Sequence, residues 1–370
     1  MWFDVGPLVV KAHCVSPSDL TRDELNAWHR ILSENPALRS PYLSPSWAKL
    51  VNRSRADSKV VVFTRDSKPV GFLPAQRLNG HAALPLGGPI CDYQCYIAGN
   101  DTKFDPRLAL DALNVQRIDF TGLTDGHACC APHIKSEDSG MLVDLSSGWE
   151  GYQEAKRASG SSVIKRTRKK FRKMKSECKN VTFDAFTHNK SDFETLMQWK
   201  RDQWKRTNSV DVMSKPWISQ IISDSFDISE ESFGGELFTL KSDGELVAAL
   251  YALKLDKVLH AWFVGYSRDY ECYSPGLILF TEAIHAMADA GYEMLDLGGG
   301  DYRFKQSLAT QTRVAGPGFV GSTNLATLSR SLQYKLRASV EAMPLGPVSD
   351  WPAKAMRRVD VMRGMHNSNA

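Results

Sequence analysis

GYSRDYECYSPGLILFTEAIHAMADAGYEMLDLGGG, residues 265–300, passes from a turn into a helix, out through a glycine and into a strand that ends on three more. Ser267 to Gly276 is rich in turn formers. From about Pro275 to Ala290, Leu277, Phe280, Ile284 and Met287 recur at helical spacing on one face. Gly291 stands where a helix C-terminal cap is expected, and Tyr292 to Leu297 reads as a buried strand before Gly298-Gly299-Gly300. Upstream, Val258 to Tyr266 alternates as a strand. Before it, Gly235–Lys241 and Glu245–Leu255 flank Asp243-Gly244, a strong hairpin signal. Hairpin, strand, helix, strand makes an antiparallel-then-parallel unit of mixed α/β class.

The chain carries this unit twice. At an offset of 177, Asp66, Val70, Leu73, Ala75 and Leu78 fall on Asp243, Val247, Leu250, Ala252 and Leu255. Asp92-Tyr93-Gln94-Cys95-Tyr96 overlays Asp269-Tyr270-Glu271-Cys272-Tyr273, and Gly99, Asp119 and Gly122 overlay Gly276, Asp296 and Gly299. Positions 66–122 hold 14 identities among 57 without a gap, where chance gives about 3–4 at ordinary composition. Lys59–Arg65 and Pro69–Leu78 around Asp66-Ser67 are the first copy of the hairpin. The fold expected is therefore α/β with a mixed sheet, built as two tandem lobes: residues 1–150, then 151–345 with the active site, then a tail, 346–370, frayed from Asn367.

The 370 residues suffice for two lobes of ordinary domain size. Hydrophobic content of 42%, charged content of 24% and a net charge of +4 describe a folded protein and do not mark a nucleic-acid binder. Cys14, Cys91, Cys95, Cys129, Cys130, Cys178 and Cys272 show no repeated pair spacing, and no histidine pair follows Cys91/Cys95. They read as free thiols, not as a metal site. Met1 to Cys14 lacks the charge-then-apolar pattern of a signal peptide, and the longest apolar run, Leu246–Leu253, is far short of a span. The expectation is a cytoplasmic protein, at most peripheral at the inner membrane.

Between the copies, Lys165 to Lys179 holds nine basic residues against the single acid Glu177. Ile164, Thr167, Phe171, Met174 and Cys178 form one apolar stripe along it, so a helix over 163–179 packs on the protein with its charges outward. An anionic membrane surface contacting Lys165–Lys175 is the partner this face suggests. Further helices are expected over Ser191–Thr207 and Asn324–Ala342.

Three places can carry chemistry. Tyr273-Ser274-Pro275-Gly276 joins a strand to a helix, with Ser274 suited to the N-cap, Pro275 to the first helical position, and Gly276 leaving the first turn bare to an anion. Asp296 ends a buried strand, and the glycines after it lead to Asp301, Tyr302 and Lys305, a carboxylate, a phenol and an amine within a few residues. His260, by simple alternation, shares a strand face with Trp262 and Tyr266 and is placed to act as a base. There is no G-x-S-x-G elbow and no phosphate loop of the G-x-x-x-x-G-K-[ST] type. Serine hydrolysis and nucleotide hydrolysis are thereby disfavoured.

Taken in order, Gly265-Tyr266, Tyr273-Ser274-Pro275-Gly276, Asp296-Leu297-Gly298 and Tyr302-Arg303-Phe304-Lys305 resemble the CelD-like acetyltransferases of bacterial envelope polysaccharide clusters. That family belongs to the GNAT superfamily and is similar to the two-lobed FemAB peptidyltransferases. Asn35-Pro36, Ser44-Pro45-Ser46-Trp47, Gly71-Phe72-Leu73-Pro74 and the basic segment fit as well, so the resemblance spans about residues 25 to 310. It implies an acyl-CoA or acetyl-CoA co-substrate whose pyrophosphate meets Tyr273, Ser274, Pro275 and Gly276, and no metal. It also implies attack by an amine of a polysaccharide sugar or lipid, with His260 or Asp296 as base and Tyr302 as acid beside Lys305. The competing expectations are an aminoacyl-tRNA-dependent FemAB-type transferase, in which the basic face holds RNA, and a non-catalytic organiser of an envelope polysaccharide synthase.

Overall fold

The computed structural model describes residues 10–78, 81–228, 230–300, 302–322, 325–341 and 351–366. Asp301 and the segment from Asn367 lie outside them. Two compact units emerge, one drawn from Met1–Asp138, Lys215–Ile221 and Val314–Ala370, the other from Ser139–Ser214 and Ile222–Arg313.

The first unit opens with β1 (Val10–Val15), α1 (Arg22–Glu34) and α2 (Pro45–Asn52), followed by β2 (Ser58–Arg65), β3 (Lys68–Leu78), β4 (Ala82–Pro85), β5 (Ile97–Ala98), α3 (Leu108–Leu113) and β6 (Arg117–Thr124). A capping box starts α1, the Thr21 hydroxyl accepting the Glu24 N–H while the Glu24 carboxylate accepts the Thr21 N–H. At α2, Ser44 caps the Trp47 N–H at 3.0 Å and Pro45 fills the first position. These helices bury Trp28 and Trp47, and Trp28 stacks on Phe72 of β3 at 4.6 Å.

The second unit contains β7 (Asp138–Asp144), α4 (Gly148–Ala158), α5 (Val163–Glu177), β8 (Val181–Thr187), α6 (Lys190–Arg206) and the second half of α7 (Pro216–Asp227). It continues through β9 (Phe233–Ser242), β10 (Glu245–Leu255), β11 (Val258–Tyr266), α8 (Pro275–Asp289), β12 (Met294–Asp296) and α9 (Arg303–Leu308). Its strands run β7-β12-β11-β10-β9-β8. One face buries Phe238, Leu240, Val247 and Leu250 against Ile278, Leu279, Ile284 and Met287 of α8, with Val163, Phe171 and Met174 of α5 joining the same core. The opposite face meets α6 and α7, where Tyr251 lies against Phe193 and Phe226. The chain then returns to the first unit with β13 (Gln311–Gly321), α10 (Leu325–Glu341) and α11 (Trp351–Met365), giving the order β1-β2-β3-β4-β6-β13.

The repeat is visible in the hydrogen-bond register. In the first hairpin Ser58 faces Gln76, Val61 faces Leu73 and Phe63 faces Gly71, after which Val70 is skipped and Thr64 faces Pro69. In the second, Gly235 faces Leu253, Phe238 faces Leu250 and Leu240 faces Ala248, after which Val247 is skipped and Lys241 faces Leu246. Every pair, bulge included, is displaced by 177. Both turns place two residues at positive φ, Asp66-Ser67 and Asp243-Gly244, as the tight hairpin turn requires.

Contiguous lobes split at 150 and 345 differ from these units. β7 follows the first copy in sequence yet pairs with β12, and β13 follows the second copy yet pairs with β6. The segment from 346 onward, expected as a tail, contains α11, whose Met365 is buried in the first unit.

Candidate active site

The site begins as a fork. β11 and β12 run parallel and pair only through Val258–Met294, Leu259–Leu295 and His260–Asp296. Beyond His260, β11 continues to Tyr266 while remaining paired with β10 on its other edge. β12 stops at Asp296, and Gly298 and Gly300, at φ +72° and +98°, carry the chain away in a conformation that suits glycine.

His260 and Asp296 lock the crotch of the fork. His260 is fully buried and Asp296 nearly so, with Nδ1 and Oδ1 3.6 Å apart. The Gly298 N–H donates to Asp296 Oδ1 at 2.8 Å, and Arg313 reaches Oδ2 at 3.4 Å. Burial pushes the Asp296 carboxyl up, but the His260 charge and hydrogen bond, Arg313 and the Gly298 N–H outweigh it and hold the group below its ordinary value. The pair lies beneath the fork, not on its surface.

Alternation misplaces Tyr266. A bulge on β11 inserts Trp262, so Tyr251 of β10 faces Phe263 and Ala252 faces Ala261. One extra residue inverts the parity of everything beyond it. His260 and Phe263 therefore share the face toward α6, whereas Tyr266 turns toward α8, where a Cβ on Gly276 would meet its ring at 3.6 Å.

At the mouth of the fork, Pro275 starts α8 and Ser274 holds the N-cap position as expected, but the Ser274 side chain does not cap the helix. Ser274 adopts φ 56°, ψ 57°, and its side chain makes no capping bond. Its carbonyl accepts the Leu277 and Ile278 N–H groups instead, and its hydroxyl receives Lys170 Nζ of α5 at 2.5 Å. Tyr273 donates its hydroxyl to Glu177 at 2.8 Å, a bond that pushes the phenol up, while Lys173 lies 5.9 Å from its ring centroid. The basic helix thus reaches the start of α8, which its amphipathic stripe alone did not reveal.

Across the fork, Lys305 Nζ donates to the Gly299 carbonyl at 2.6 Å and lies 5.4 Å over the ring of Tyr302, which is 60% exposed. Here the structure adds a residue missed in the sequence, Lys200 of α6. Half-buried, it donates to Gln203 at 2.8 Å, and burial together with the nearby Lys305 ammonium pushes it down to about 8. Its signal was its position, four residues after Leu196 and next to Trp199. Both pack so tightly on β11 that a Cβ at Gly265 would lie 2.9 Å from Leu196 and 3.2 Å from Trp199.

The matching fork of the first unit is filled by its own chain. β4 and β6 pair only through Ala82–Arg117 and Ala83–Ile118. The segment around Gln94 then occupies the edge of β6: its N–H donates to the Gly122 carbonyl, its carbonyl accepts the Thr124 N–H, and its Oε1 accepts the Thr121 and Gly122 N–H groups. Ile97-Ala98, opposite Ser274-Pro275 in the repeat, pairs with β3 as a strand.

Residues 161–306 match the family described as acetyltransferase (GNAT) domain. A structure titled FemX aligns over 84% of this chain and 98% of its own, with 10% identity and a TM-score of 0.58. The C-terminal domain described as that of a lysylphosphatidylglycerol synthetase from Agrobacterium fabrum aligns over 85% and 95%, with 14% identity and a TM-score of 0.50. No curated protein matches the sequence at a significant level. The chain has the GNAT fold, and it is an acyltransferase.

Proposed function

We propose that the second unit transfers an acyl group from acyl-CoA to an amine of a cell-envelope precursor, a polysaccharide sugar or a lipid amine. The observation that carries this reading is the fork-side edge of β11, which beyond His260 pairs with no strand among the described residues, beside the start of α8. An extended donor arm with amide groups can pair with such an edge. The donor's pyrophosphate then falls to the positive end of α8 at Tyr273, Ser274, Pro275 and Gly276, with the Lys170 ammonium beside it.

In this reading the amine attacks the thioester carbonyl, a C–N bond forms and the C–S bond breaks. Lys200, neutral in part near pH 8, takes the amine's proton, and the exposed Tyr302 phenol protonates the departing thiolate. Backbone N–H groups polarise the carbonyl. His260 and Asp296 are too buried to meet a diffusing amine and act as positioning residues, with Lys305 tuning Lys200 through its charge. The outward face of α5 takes an anionic partner, a membrane surface, through Lys165–Lys175. No helix among the described residues is long and apolar enough to cross a membrane, so the contact proposed is peripheral.

Calorimetric titration with a CoA ester tests the donor site. Lys170→Gln and Gly276→Val should each weaken binding about tenfold, as expected for losing one charge-assisted contact. Unchanged affinity in both would remove the donor from this helix. If transfer to a small amine requires aminoacyl-tRNA and ignores the CoA ester, the FemAB-type reading replaces this one.

A further inference from the structure

Between α4 and α5 of the second unit lies a cavity of about 560 Å³, within the range of small-molecule sites. Five cations line it, Lys156, Arg157, Lys165, Arg168 and Arg172, and no carboxylate does. Its lining also includes the apolar side chains of Ile164 and Phe171, the latter part of the core. Two of the cations are held in place. Arg168 donates to Gln153 at 3.2 Å and lies 6.0 Å from the Trp149 ring centroid. Lys156 is 4% exposed, and its Nζ donates to the Ala309 carbonyl at 2.7 Å. Arg168 and Arg172 are exposed, so their guanidinium groups are reachable from solvent.

We propose that this cavity binds the phosphate headgroup of one anionic phospholipid, the guanidinium groups of Arg168 and Arg172 on the phosphate and the apolar Ile164–Phe171 patch against the glycerol and first acyl carbons. Planar guanidinium groups suit phosphate oxygens, which they can meet with two N–H bonds at once. The apolar patch favours a phosphate carried on a hydrocarbon body over a free ion. The inference rests on the reading of α5 as the face for an anionic membrane, and it makes that contact a discrete site instead of a diffuse attraction. It is independent of the acyl donor.

Two charge-matched variants of the full chain separate these ideas. Arg168→Gln/Arg172→Gln removes two charges from the cavity. Arg166→Gln/Lys169→Gln removes two from exposed positions on the same helix that do not line it. Partitioning is measured by sedimentation onto phosphatidylcholine vesicles with and without phosphatidylglycerol, with circular dichroism confirming the fold. The cavity pair should lose at least tenfold more binding to phosphatidylglycerol vesicles than the exposed pair. Equal losses would overturn the cavity site and leave the diffuse membrane surface standing. No loss in either variant would overturn both. Loss of CoA binding by the cavity pair, with vesicle binding intact, would also overturn the lipid assignment and make the cavity a site for a soluble phosphate.

Discussion

The two forks share a hairpin register and differ in what lies between their tines. In the first unit, the Gln94 segment covers β6 so closely that a Cβ on Gly122 would lie 2.0 Å from the Asp92 carbonyl oxygen. At Gly299, which matches it across the repeat, a Cβ would meet nothing within 4 Å. The aspartates at the two fork bases differ as sharply. Asp119 contacts three arginines, Arg117, Arg330 and Arg363, at 2.9, 3.3 and 3.2 Å, and so ties α10 and α11 to the first sheet. Asp296 holds His260 and the Gly298 turn. Duplication supplied two equivalent scaffolds. One fork is filled by its own chain, and in the other no strand among the described residues pairs with β11 beyond His260.

The largest effect that would break this contrast is in the aspartates. Asp119→Asn should cost about 3–5 kcal/mol of stability, because it takes the carboxylate charge from the buried Arg330 and from the half-buried Arg117 and Arg363, while activity per folded molecule stays near the parent value. Asp296→Asn should lose stability and also activity, at least tenfold at matched folding. Chemical denaturation paired with single-turnover assays reads both, and equal activity losses would mean that both forks work. Next come the glycines. Gly122→Ala should destabilise by about 1–3 kcal/mol, the usual cost of overpacking, whereas Gly299→Ala should leave the melting temperature within about 2 °C of the parent. If the two shift it alike, the first fork is not filled as described.

A smaller effect is expected at the helix starts. Gly276→Val should fold, since its Cβ has ordinary space beside Tyr266, and should bind a CoA ester about tenfold more weakly. Gly99→Val in the first unit should bind it as the parent does. The smallest effect concerns pH. The neutral form of Lys200 is the proton acceptor, so turnover should rise with pH around a midpoint near 8. Lys305→Gln removes the ammonium that helps depress Lys200 and should move the midpoint upward. Lys200→Gln should abolish the limb. A limb that stays put in both variants would assign the proton to another group.

Much of the scaffold could be read from local pattern. The Glu245–Leu255 and Val258–Tyr266 strands, the Asp243-Gly244 turn, and the helices near 163–177, 190–206 and 275–289 depend on periodicity and turn chemistry, which are properties of neighbours in sequence. Ser274 holds the N-cap position as read, but in its left-handed conformation the side chain makes no capping bond, and Lys170, more than a hundred residues away, donates to its hydroxyl. Tyr266 was put on the wrong face because the bulge at Trp262 is a property of the ladder with β10, not of the strand's own composition.

By itself the sequence determined the repeat, its 177-residue displacement and the hairpin geometry, because a tight turn and an alternating strand are encoded within a few residues. Only the tertiary structure decided which fork is filled by its own chain, which unit each of β7 and β13 completes, and that Lys200 stands beside Lys305. Each of these depends on residues far apart in the chain competing for one strand edge or one buried volume, and that competition is resolved only when the whole unit packs.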